Sequence, residues 1–154
     1  MKVRALVAAD ADAARALVEA QFGGTRYAAR LLEQLADALA ASDASVHAMV
    51  ASTTEDATLL GAVVLGPVAG AVGTVRVHAM IGTHPSVMRC LARATVQWCT
   101  RRKVRLAVHE TADDGCFAVS IAALRECGFA AEGELADWYA EGIGQVILVR
   151  RLQP

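Results

Sequence analysis

The chain has 154 residues, 55 % of them apolar, and a formal net charge of −1 at pH 7. That length predicts a single domain, residues 1–154, with enough apolar content for a real core. The balanced charge argues against a nucleic-acid partner and against an acidic surface built for cations.

Taken in chain order, a short strand is expected over 3–7. Asp10 or Asp12 can cap a helix that runs to about Phe22, with Ala16, Leu17, Ala20 and Gln21 setting its faces. Gly23 and Gly24 break that helix. Thr25 is the expected N-cap of a second helix from Tyr27 to about Ala41, where Leu31, Leu35, Ala38 and Leu39 form a stripe of helical period. Ser42 and Asp43 end it. A strand over 46–51 and a polar turn over 53–56 follow, then strands over 59–65 and 74–81 paired as a hairpin. Residues 57–75 carry no charge, a length that could cross a bilayer. Gly61, Gly66, Pro67, Gly70 and Gly73 interrupt the run and mark a turn, so two core strands are expected and no membrane span.

A third helix is expected over 85–102. Pro85 suits its first position because no N–H is needed there. Leu91, Thr95, Trp98 and Cys99 line its inner face. At its end Arg101, Arg102, Lys103 and Arg105 form a basic cluster, read either as solvated cations at a helix C-terminus or as an attraction for a phosphorylated cofactor. A strand over 104–108 comes next. Asp113 and Asp114 offer caps for a fourth helix ending at Cys127, and Gly128 suits a left-handed cap. Phe129 opens an apolar strand, Glu141 and Gly142 a turn, and 145–152 a last strand.

This order predicts a mixed sheet with helices on both faces and a right-handed parallel crossover over 74–108. Cys90, Cys99, Cys116 and Cys127 show neither a CxxC pair nor zinc spacing with histidine, so no metal is expected and the thiols read as buried and reduced. Arg4, Asp10 and Asp12 leave no signal-peptide core near Met1, and the expected location is the cytoplasm.

The ending Ala123-Leu124-Arg125-Glu126-Cys127-Gly128-Phe129, followed by two strands and a tight turn, resembles the C-terminal end of the GNAT superfamily of acyl-CoA-dependent N-acyltransferases. The element order is similar over nearly the whole chain. The resemblance implies an α/β (α+β) fold with a mixed, mostly antiparallel sheet of about seven strands. It also implies acetyl-CoA or another acyl-CoA as co-substrate, bound where the fourth strand splays from the fifth at a bulge. The acceptor it implies is an amine on a small molecule or peptide. In that family a loop reading Arg/Gln-x-x-Gly-x-Gly/Ala holds the pyrophosphate. Here the segment is Gly82-Thr83-His84-Pro85-Ser86-Val87-Met88-Arg89, without the Gly-x-Gly element.

On that reading Ala79, Met80, Ile81, Thr83, His84, Ser86, Val87 and Met88 are the cofactor contacts. The amides of Ser86, Val87 and Met88 are expected to be free, and Thr83 and Ser86 to offer hydroxyls. The alternative is a loop that only caps the helix. Leu124 stands where many members carry a proton-donating Tyr, and Phe117 lies near the place of a frequent Asn.

The catalytic candidates are His78, Glu110 and Tyr139. His78, on the fourth strand, could take an amine proton directly or through water, against the alternative of a solvent-facing or satisfied core histidine. Glu110, after the fifth strand, could act as base or bind the amine, against plain surface charge. Tyr139 could reach the cleft, against a packed strand aromatic. Arg26 and Tyr27, between the first two helices, are the substrate-binding candidates. Ser120 and Cys127 carry a hydroxyl and a thiol on the fourth helix. Strict alternation would set Arg76, His78 and Met80 on one face and Val77, Ala79 and Ile81 on the other. Two further readings stand beside acyl transfer: a catalytically inactive member kept for ligand binding or protein interaction, and an unrelated α/β domain. The sheet edge or the final strands are candidates for a homodimer contact.

Overall fold

The computed structural model describes residues 1–41, 46–54 and 58–152. They form one seven-stranded sheet. In chain order the strands are β1 (Lys2–Ala5), β2 (His47–Ser52), β3 (Leu59–Pro67), β4 (Thr74–Gly82), β5 (Leu106–Ala112), β6 (Ala130–Ala140) and β7 (Ile143–Arg151). Their order across the sheet is β1-β2-β3-β4-β5-β7-β6, and only the β4–β5 pair is parallel. The helices are α1 (Ala11–Phe22), α2 (Ala28–Ala40), α3 (Pro85–Arg101) and α4 (Ala118–Glu126). The mixed, mostly antiparallel α/β architecture expected from the sequence is the one observed.

The uncharged stretch resolves into two strands. β3 and β4 bury Ala62, Val63, Val64, Leu65, Val77 and Ile81 at the centre of the sheet, which is why periodicity there is nearly continuous. Among the described residues no helix is long and apolar enough to cross a membrane. The expected turn residues Glu55 and Asp56, and the expected helix stops Ser42 and Asp43, lie outside the described residues.

α1 packs with α2, and α3 with α4, on opposite faces of the sheet. A side chain on Gly82 would strike Val87 and Met88 of α3, so that face of β4 looks toward α3. α1 buries Ala14, Leu17, Val18 and Phe22, while Ala16 and Ala20 are exposed. Leu17 thus belongs to the inner face, and Val18 and Phe22 supply most of the rest of its buried area.

Two of the boundaries that differ from the sequence reading bear on the site. Tyr27 is the N-cap of α2 and not its first residue, and Thr25 Oγ1 accepts from the Tyr27 amide at 3.3 Å. β5 begins two residues later than expected and runs to Ala112, because β7 pairs with it through Ala112. Glu110 thus lies within the strand. Arg105 and Leu106 spend their amides on the Gly73 carbonyl at 2.8 and 3.1 Å, which ties the start of β5 to the foot of β4. Of the cysteines only Cys99 is fully buried; Cys116 is exposed, and all four are free.

The last helix ends as its sequence requires. Gly128 adopts φ of 83°, a left-handed conformation that L side chains rarely adopt. Arg150 of β7 donates to the Cys127 carbonyl at that helix end.

Candidate active site

The β4–β5 ladder stops early. Parallel pairing covers Thr74↔Leu106 to Val77↔His109 and no further, although β4 continues to Gly82 and β5 to Ala112. Beyond Val77, β4 pairs only with β3, and the two central strands part.

The parting coincides with a bulge. Val64 pairs with Ala79 but Leu65 with Val77, which leaves His78 as the extra residue. A one-residue insertion reverses the faces that follow it. Met80 therefore shares the α3 face with Gly82, and Ala79 and Ile81 lie on the α1–α2 face. The strict alternation expected from the sequence fails here for that reason. His78 points to the α2 side, where the absence of a side chain on Gly66 leaves room for its ring.

A cavity of about 260 Å³ opens at this point. β4 supplies His78, Ala79 and Met80, β5 supplies His109 to Ala112, α2 supplies Arg30, Leu31 and Gln34, its N-cap Tyr27 and the preceding Arg26 add to that wall, and Phe117 and Tyr139 close it. Five of the residues singled out in the sequence for catalysis or acceptor binding meet here: Arg26, Tyr27, His78, Glu110 and Tyr139.

Their electrostatics differ. Burial, aided by Arg76 and Arg30, holds the His78 imidazole below the usual histidine range, with Glu110 pulling weakly the other way. It is neutral at pH 7 and free to accept a proton. Glu110 is instead held by Arg76 at 2.9 Å, so its charge is largely balanced. Tyr27 donates its hydroxyl to Asp114 at 2.9 Å, and burial with that bond raises its pKa to about 12. Tyr139 packs edge-on to Tyr27 at 6.2 Å between ring centroids, and its carbonyl accepts from Arg26 at 3.1 Å. Its own hydroxyl has no hydrogen-bond partner among the described residues.

One residue of the site escaped the sequence reading. His109 is buried, and its Nδ1 donates to the Val77 carbonyl at 2.8 Å. A carbonyl only accepts, so Nδ1 carries the proton and Nε2 holds a lone pair with no partner. Its only signal was a histidine directly after the apolar run Leu106-Ala107-Val108, masked by ending the strand at Val108.

The segment expected to hold a pyrophosphate is occupied by its own side chains. His84 is the N-cap of α3, and its Nδ1 accepts from the Ser86 amide at 3.2 Å and lies 2.9 Å from the Ser86 hydroxyl. The Val87 and Met88 amides both donate to the His84 carbonyl, at 3.0 and 3.1 Å. Thr83 gives its amide and its hydroxyl to the Leu60 carbonyl. The expectation of three free amides and two free hydroxyls is thus corrected: without a Gly-x-Gly element the loop closes on itself, and the Val87 and Met88 side chains are core.

The fit to an acyl-CoA is accordingly divided. The opened edge of β4 from Ala79 to Ile81 suits an amide-bearing arm, which needs backbone partners that β5 no longer takes. The loop before α3 offers no ready amide cradle. Leu124 is fully buried and cannot donate a proton, and Ser120 spends its hydroxyl on the Phe117 carbonyl. Cys127, half-buried, lies outside the cavity lining. Among the described residues no cluster of His, Cys, Asp or Glu could hold a metal ion.

No protein-family model matches this chain, and no curated protein does. Solved structures do match its fold. A GNAT-family protein from Desulfovibrio desulfuricans is 23 % identical, with 97 % of this chain and 98 % of that one covered and a TM-score of 0.80. The ribosomal-protein-S18-alanine N-acetyltransferase of Escherichia coli is 12 % identical, with 99 % and 94 % covered and a TM-score of 0.77. An aminoglycoside 6′-N-acetyltransferase complexed with coenzyme A is 11 % identical, with 100 % and 98 % covered and a TM-score of 0.76. The chain has the GNAT fold.

Proposed function

We propose that this protein transfers an acyl group from acetyl-CoA, or another acyl-CoA, to an amine. The observation that carries this reading is the bulge at His78, which puts a neutral imidazole at the mouth of the gap between β4 and β5. The ligand of the aminoglycoside 6′-N-acetyltransferase of the same fold, coenzyme A, supports the choice of acyl donor.

When bound, an acyl-CoA supplies an electrophilic thioester carbonyl and a thiolate leaving group. The open edge of β4 at Ala79, Met80 and Ile81 binds the arm, and a β4 amide polarises the carbonyl as an oxyanion donor. Arg26 and Tyr27 form one wall of the acceptor site. His78 takes a proton from the acceptor ammonium, directly or through water, and so frees the nitrogen lone pair. The new bond is C–N and the broken bond is C–S. The departing sulfur keeps its electron pair and takes a proton from the Tyr139 hydroxyl, and the second proton shed by the new amide nitrogen passes through solvent to re-protonate that tyrosine. Glu110, tied to Arg76, tunes His78 and is the weaker candidate for the base.

A second reading, a binding or interaction module of this fold without turnover, is favoured by two observations. The loop before α3 is satisfied internally, and Leu124, where the resemblance implies a proton-donating Tyr, is a fully buried leucine. Acetylation of an acceptor panel, followed by mass spectrometry of the products, separates the two. Transfer that falls about 100-fold or more in His78→Ala, with an unchanged unfolding midpoint, supports catalysis. No product from any acceptor refutes it.

A further inference from the structure

The acceptor side of the cavity carries an excess of positive charge, and the reading developed here rests on acyl transfer at that cavity. Arg26 and Arg30 both line it. Among the described residues neither has a carboxylate within 4.0 Å. Two acidic groups nearby are committed. Glu110, the one carboxylate in the lining, pairs with Arg76 at 2.9 Å. Asp114 feels Arg26 but already accepts from the Tyr27 hydroxyl and the Cys116 amide, each at 2.9 Å. Glu33 and Asp37 line an adjoining groove that Arg26 and Arg30 also border, and neither acid lines the cavity itself. The Arg30 charge reaches His78, which places it close to the proposed base.

Two guanidinium groups without acidic partners, beside a neutral imidazole, form a poor receptor for a polycation and a good one for an anion. We propose that the acceptor is an amine that also carries a carboxylate, of which α-amino acids are the simplest class, with Arg30 and Arg26 holding the carboxylate and His78 facing the amine. Arg30 is a specificity residue in this scheme, and Gln34, one turn on, lines the same wall as a neutral neighbour. The positive field does a second thing. It disfavours the ammonium form of the bound amine and so raises the share of nucleophilic free amine.

The test compares each amino acid with its own amide as acceptor, acetyl-CoA as donor, and product read by mass spectrometry. The amide has the less basic amine, so intrinsic reactivity at neutral pH works against the expected result. The expectation is a kcat/KM about tenfold or more higher for the acids. That ratio should fall close to one in Arg30→Gln, with Arg26→Gln as the second variant should the first not fold. Amides or polyamines accepted as well as the acids, or a ratio unmoved in both variants, would overturn the proposal and leave acyl transfer standing. Absence of any product would instead count against acyl transfer. Calorimetric binding of an acid against its amide, with CoA present, then decides the proposal alone: preference for the acid, lost in Arg30→Gln, upholds it, and equal or absent binding overturns it.

Discussion

Nδ1 of His109 lies 2.8 Å from the carbonyl oxygen of Val77, the last β4 residue paired with β5. The side chain of one strand thus closes the ladder of the other at the point where the sheet opens. A bare opening would leave that carbonyl buried and unpaired, which costs about 1–3 kcal/mol. His109 removes that cost and sets where the gap begins. His109→Leu keeps the apolar packing and drops the donor. The expected loss is about 2 kcal/mol of stability, read as a lower urea midpoint, with a smaller loss in His109→Asn.

Acid should destabilise this fold in a defined window. His47, His78 and His109 all have pKa values held below the usual 6.5, in each case chiefly by burial. A base whose folded pKa is depressed binds fewer protons folded than unfolded below pH 6.5. Stability is therefore full above that pH and falls as the unfolded chain protonates. Asp10 and Asp114 are held below 3.8, Asp10 first by its bond to Arg4 and Asp114 first by the Cys116 amide. Their stabilisation is lost only at still lower pH. Urea midpoints should drop between pH 7.5 and 5.5, with proton uptake on unfolding, and His109→Leu should flatten the slope.

A Cβ added at Gly66 would sit 2.5 Å from Nε2 of His78. Gly66→Ala must therefore turn the imidazole away from its place in the cavity. Transfer should fall about tenfold or more, since a misplaced base loses most of its effect. Circular dichroism and the unfolding midpoint should change little beside that. Full activity in this variant would remove His78 from the mechanism.

His84 caps α3 through the Ser86 amide. Loss of an N-cap side chain costs about 1 kcal/mol, and His84→Ala should show that deficit in the free protein. A CoA pyrophosphate bound at this turn would take over the vacated amide. Saturating CoA should then narrow the gap in melting temperature between variant and wild type. A gap that widens instead would make His84 itself a phosphate ligand.

Most of the fold was legible because the strong signals were local. Gly128 and Phe129 mark the end of α4, Pro85 the start of α3, and the glycines with Pro67 the β3–β4 turn. The site was legible in part. Arg26, Tyr27, His78, Glu110 and Tyr139 do line one cavity, but the bulge that aims His78 is a matter of register between two apolar strands, which no single strand encodes. For the same reason Met80 was placed on the wrong face. Free amides at Ser86, Val87 and Met88 followed from the helix start alone, and that inference could not see the His84 side chain folding back onto Ser86. His109 was hidden by a strand boundary set at Val108, because the polar run His109-Glu110-Thr111 does not look like a central strand until β7 pairs with it.

The most direct measurement is a calorimetric titration of acetyl-CoA and free CoA into the protein, repeated with His109→Leu. Binding on the order of micromolar, weakened in that variant because the gap loses its edge, is the result expected of an acyl-CoA seated between β4 and β5. No heat up to about 1 mM, or an affinity that ignores residue 109, would contradict it.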